Sequence, residues 1–168
     1  MPDTADAALL IVRLSLGGVM IAHGVKHLRN RRKTMDWTAS MGFTAPGLQW
    51  FFMSFIEVGV GVSLIAGFLT AVGAAGLVSL MAVAFWTVHR HAGFWITARP
   101  DEGWEYVFVL SAAAWALALL GPGGWSIDHA VGLADHLDGG VGAALAAGGL
   151  AAAVLQLAAF HRPNRDPN

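Results

Sequence analysis

The stretch LLIVRLSLGGVMIAHGVKHLRNRRK, residues 9–33, decides how the rest of the chain is read. Its first part is apolar for long enough to cross a bilayer as helix, which takes about 20 residues. One arginine, Arg13, interrupts that run. Its end sets out His23, Lys26 and His27 and then Arg29, Arg31, Arg32 and Lys33. This is the pattern of a membrane helix closed by charges at the interface. The open question is whether the histidines and the lysine also hold something.

Composition places the whole chain in the same class. Hydrophobic residues make up 56% and charged residues 12%, where a soluble domain carries about 25% charged residues. Mean hydropathy is +0.59. A net charge of -1 gives no bulk attraction for nucleic acid, so none is expected as a partner. With no cysteine, thiol relays, iron–sulfur clusters and cysteine nucleophiles are excluded. Residues 1–7, MPDTADA, lack a basic n-region, so the first helix is expected to stay in the bilayer and not to be cleaved as a signal.

Apolar runs predict five spans, near residues 7–28, 49–69, 70–89, 105–120 and 140–160. The fold class is therefore all-α, a polytopic membrane helix bundle. The second and third spans nearly touch and need a tight reversal. GPGG at 121–124 stops the fourth, because Pro and Gly continue a helix at high cost. The fifth is rich in Ala and Gly. Its spacings Gly142/Ala146 and Gly149/Ala153 suit close packing on another helix, within the bundle or across an oligomer contact.

Basic residues in short loops set orientation. They follow the first span (Arg29, Arg31, Arg32, Lys33), the third (Arg90, Arg99) and the fifth (Arg162, Arg165). The N-terminal tail and the loop after the fourth span carry Asp and no Lys or Arg. Five alternating helices put all basic segments on one side, with the N-terminus out and the C-terminus in.

Ionisable groups inside a span are costly, so they face the protein interior and need partners. Arg13 and Glu57 are expected to form a structural ion pair between the first two spans. Arg13, Gly17 and Gly24 share one face of the first, and Ser54, Glu57 and Gly61 make a comparable face on the second. His23 lies about 15 Å further along the axis than Arg13. It shares a face with Lys26 and His27 at helical spacing. The third span ends in FWTVHRHAGFW, with His89 and His91, and the fourth opens with EGWEY, with Glu102, Glu105 and Tyr106. Three helices thus bring these groups to one end of the bundle. The candidate ligand-binding residues are His23, Lys26, Glu57, His89, Glu105 and Tyr106. A metal set drawn from His23, His27, His89 and Glu105 stays open, but no pair has the spacing of a recognised zinc signature, and no metal is expected.

The order of these elements resembles the DoxX family of small bacterial membrane proteins. The resemblance rests on HGxxK (His23, Gly24, Lys26), MSFIE running into EVGVG (53–61), a third helix ending in His89, GWEY (103–106) and LALLGPGGWSID (117–128). It covers roughly residues 7–128. One departure is GWEY where the family has GYEY. The resemblance implies a four-helix core, here residues 1–138 with the N-terminal tail and an extracytoplasmic loop. Residues 139–168 then add a fifth C-terminal transmembrane helix and a short cytoplasmic tail. It also implies a bacterial inner-membrane location. Family members are associated with a terminal quinol oxidase and a thiosulfate:quinone oxidoreductase, and others with oxidative-stress complexes containing superoxide dismutase.

Two functional readings follow. In the first, the chain is a membrane subunit of a redox or oxidative-stress system that binds a quinone-like amphiphile at the cytoplasmic end of the bundle. His23, Lys26 or Tyr106 would donate to a quinone carbonyl, and Glu105 or Glu57 would pass protons. No flavin or metal motif is visible, so a protein partner would supply electrons. In the second, the chain is a non-catalytic membrane anchor or assembly factor whose basic loop and fifth helix are interaction surfaces. Haem ligation by His23 and His89 ranks below both, since neither lies deep in a span. Transport along Arg13–Glu57–His23 also ranks low, because no inverted repeat is present.

Overall fold

A computed structural model describes residues 2–163. Arg165, counted above among the orientation charges, lies outside the described residues. The elements are α1 (Pro2–Arg29), α2 (Arg31–Ser40), α3 (Pro46–Ala66), α4 (Thr70–Ala84), α5 (Glu105–Leu120), two single turns α6 (Ile127–Ala130) and α7 (Ala134–Leu137), and α8 (Gly139–Phe160). Four helices are long and apolar enough to cross a membrane: Thr4–Arg29, Pro46–Ala66, Thr70–His89 and Gly139–Phe160. α5 is apolar and shorter, 16 residues, and packs on α4 between the same two ends. The chain is a multi-pass membrane helix bundle. Large apolar side chains such as Phe55, Phe108 and Leu155 are half exposed or more on its outside. A surface of that kind is matched by lipid tails and not by water.

α1 packs on α3 through glycine. A side chain at Gly17 would meet the Gly61 carbonyl at 2.8 Å, and one at Gly24 would meet the Ser54 carbonyl at 2.9 Å. The two backbones are therefore closer than any larger residue permits, which maximises dispersion contact where no hydrophobic effect drives association. The α3–α4 reversal uses Gly67 at φ 64 and Leu69 at φ 51. Gly67 is required twice, by its left-handed backbone and because a Cβ there would overlap the Arg13 guanidinium.

α4 is the central helix, with Ala74, Leu77 and Val78 fully buried and neighbours α3, α5 and α8 around it. α8 buries the four residues of the small-residue stripe, Gly142, Ala146, Gly149 and Ala153. Gly142 lies against the Ala118 carbonyl of α5 and Gly149 against the Ala75 carbonyl of α4. The stripe is thus used inside the chain. The far end of α8 is pinned as well: Gln156 donates to Gln49 at 2.9 Å, and the Thr44 and Arg162 amides bond to Phe160 and Gly42.

The bundle has two ends of opposite character. At one, Asp6, the 121–138 loop and the α3–α4 turn meet. At the other, the basic ends of α1 and α2, the start of α3, the end of α4 and the start of α5 meet.

Candidate functional site

The α1–α3 register decides which charges meet. The helices are antiparallel, with Gly17 opposite Gly61 and Gly24 opposite Ser54. Arg13 then comes level with Gly67, and Glu57 comes level with the last turns of α1. Helical side chains lean toward their own N-terminus, so Arg13 and Glu57 lean toward opposite ends of the bundle. The expected Arg13–Glu57 ion pair does not form. Arg13, fully buried, donates through Nη2 to the Trp125 carbonyl, and the carboxylate whose charge acts on it is Asp128. Asp128 is itself 1% exposed. It accepts from the Leu69 amide at 2.7 Å and the Thr70 amide at 2.8 Å, two of the unpaired donors at the start of α4.

Glu57, 7% exposed, faces His27, with 3.8 Å between Oε2 and Nε2. That oxygen has no hydrogen-bond partner among the described residues. His23 stands beside His27, ring centroids 6.4 Å apart. Three contacts fix His27. Its Nδ1 is 3.2 Å from the hydroxyl of buried Thr34. Trp37 stacks on its ring at 6.1 Å and 9°. Trp50 donates to its carbonyl at 3.0 Å. Thr34 and Trp37 belong to α2, which folds back over the end of α1 after the break at Asn30. Its two threonines, Thr34 and Thr38, point inward and its arginines and lysine stay exposed.

On the other wall, α4 ends in a π-helical turn, Phe85–His89. Such a turn re-aims side chains and recurs at functional sites. It brings His89, 8% exposed, edge-on to Tyr106 at 5.8 Å. His89 Nδ1 lies 2.7 Å from the Glu102 carbonyl. A carbonyl only accepts, so Nδ1 carries the proton and Nε2 is left as an acceptor.

Between these walls lies a cavity of about 800 Å³, within the range of small-molecule sites. Of the six expected residues it brings together His23, Lys26, Glu57, His89 and Tyr106. Glu105 is kept apart. Adjacent helix positions point about 100° apart, so with Tyr106 turned inward Glu105 turns to the 93–104 loop. There its carboxylate accepts from the Ile96 amide at 3.1 Å. Glu102 lines the cavity in its place. The cavity also includes Thr34, Trp37 and Gln49, which the sequence did not single out, and His27, which it offered only within a possible metal set. His27 was legible, being one helical turn from His23. The α2 and Gln49 contributions were not, because they depend on how the connection folds back.

The matched family model is DoxX, over residues 8–90, a segment that contains His23, Lys26, His27, Glu57 and His89 and stops before Tyr106. No curated protein and no solved structure matches the chain.

Proposed function

We propose that this chain, which belongs to the DoxX family through residues 8–90, binds a quinone-like amphiphile in the basic-end cavity as the membrane subunit of a redox system. The observation that carries the reading is the cavity itself. It combines an apolar body, including Met20, Met81 and Leu110, with polar groups at its rim. That division matches a ligand with a polar ring and an apolar tail.

The rim supplies both hydrogen-bond senses. Tyr106 and Lys26 are donors and suit the carbonyls of the oxidised ring. His89 Nε2, with its partner nitrogen held by Glu102, is an acceptor and suits the hydroxyl of the reduced ring. A site with both accommodates either redox form. Trp37, stacked on His27, gives one face an aromatic wall. The chain's part is to bind and orient the ring and to handle its protons; electrons come from a partner protein. The basic end is taken as the cytoplasmic one, which the interfacial anchors there support: Arg31 lies over Trp50 at 4.7 Å and Arg90 over Trp86 at 4.0 Å.

The test is mass spectrometry of the organic extract of protein purified in mild detergent. A quinone at about one per chain, lost in His89→Ala and Tyr106→Phe, supports the reading. An extract holding only phospholipid overturns it and returns the weight to an anchor role.

A further inference from the structure

We propose that His23, His27 and Glu57 form a binding site for one divalent transition-metal ion of the zinc class. Each offers a ligand atom, and the three atoms lie within 4.8 Å of one another. His27 Nε2 and Glu57 Oε2 are 3.8 Å apart. Ligands bound tetrahedrally at about 2.0–2.1 Å stand about 3.4 Å from each other. Side-chain rotation of about an ångström therefore closes the set without moving a helix.

Three further observations point to a cation here. First, Glu57 is more than nine-tenths buried and its Oε2 has no hydrogen-bond partner. A buried carboxylate oxygen in that state is costly unless a cation meets it or a proton neutralises it. The two imidazole nitrogens beside it are donors that a cation, unlike a proton, would gather together. Arg13 is committed at the opposite end, and among the described residues no lysine or arginine forms an ion pair with Glu57. Second, the far nitrogen of His27 is held by Thr34 at 3.2 Å and its ring by Trp37. An outer hydrogen bond that fixes the ring and leaves Nε2 free is the usual support of a metal-binding histidine. Third, His23 and His27 are one turn apart on a single helix and Glu57 comes from the helix packed on it. Two imidazoles and a carboxylate are a recurrent zinc donor set with one position left open. The donor chemistry selects Zn²⁺, Co²⁺ or Fe²⁺ over Mg²⁺ and Ca²⁺, which take oxygen. All three donors line the cavity, so a fourth ligand would reach the ion from there. Lys26, which also lines it, is exposed and is free to turn its charge outward.

This inference stands on the donor geometry and not on the amphiphile reading. Its test uses full-length protein in mild detergent, purified through a histidine-free tag, stripped with chelator, and given Co²⁺ or Zn²⁺ with no quinone added. The expected result is one ion per chain and the ligand-field bands of tetrahedral Co²⁺. Glu57→Gln and His27→Ala are expected to abolish both, Thr34→Val to weaken affinity about 10–100-fold, and His91→Ala, at an exposed histidine, to change neither. Wild-type protein that takes up no ion, or an ion that stays in Glu57→Gln or leaves with His91→Ala, overturns the proposal. Should Glu57→Gln fail to fold, wild-type Co²⁺ protein without tetrahedral bands overturns it equally.

Discussion

Replacing Asp128 by alanine tests how the acidic end is held together. Its carboxylate accepts from two backbone amides at the start of α4, in a site 1% exposed to solvent. Hydrogen bonds to a charged group contribute roughly 1.5–3 kcal/mol each. Asp128→Ala removes both, strands two amide donors, and takes away the negative charge acting on buried Arg13. Together these losses come to about 3–5 kcal/mol. For a chain of this size each kcal/mol moves the melting temperature by about 2–4 °C, so a fall of about 6–20 °C is expected. Tryptophan fluorescence during a thermal ramp in one fixed detergent reads it, with Trp125 next to the perturbed site. Asp128→Asn keeps one acceptor oxygen and should lie between wild type and alanine. Asp135→Ala, at an exposed aspartate of the same loop, is the control. An Asp128→Ala protein that melts within about 2 °C of wild type, or no lower than the Asp135 control, refutes the reasoning.

Other consequences are as direct. Gly24→Leu drives a side chain into Val58 and the Ser54 carbonyl, so it should separate α1 from α3, lower the melting temperature by about 10 °C and abolish ligand and Co²⁺ binding together. The chain has no cysteine, so Gln49→Cys with Gln156→Cys should cross-link within one chain under mild oxidation; dimers as the sole product would show that α8 docks elsewhere. The same absence makes single-cysteine labelling clean. An impermeant maleimide should reach Asp135→Cys in intact cells and Arg32→Cys only after permeabilisation, and the reverse pattern would invert the orientation.

The bundle was legible because bilayer-length apolar runs and their interrupting loops are written locally. The α5 limits and the α8 stripe can be read from Glu105, GPGG and the GxxxA spacings. Helix faces were legible too: Gly17 and Gly24 do meet Ser54 and Gly61. What was not legible is axial register. Nothing in either helix alone says that Arg13 comes level with Gly67, and a slip of a few turns pairs it with Glu57 instead. The site was half readable for the same reason. His23, Lys26, Glu57, His89 and Tyr106 sit on spans whose ends are marked by sequence. Thr34 and Trp37 depend on the fold-back of α2 after Asn30, and the π-turn that aims His89 has no signature in FWTVH.

The central claim is that the basic-end cavity holds a quinone-like ring. Photolabelling with an azido-substituted short-chain quinone, followed by peptide mapping, tests it most directly. The account predicts label on the segments around His23–His27, Trp37 and Tyr106, suppressed by excess unmodified quinone and reduced in His89→Ala. Label spread over the lipid-facing side chains Phe51, Phe55 and Leu155, or gathered on the 121–138 loop, with no competition, would contradict it.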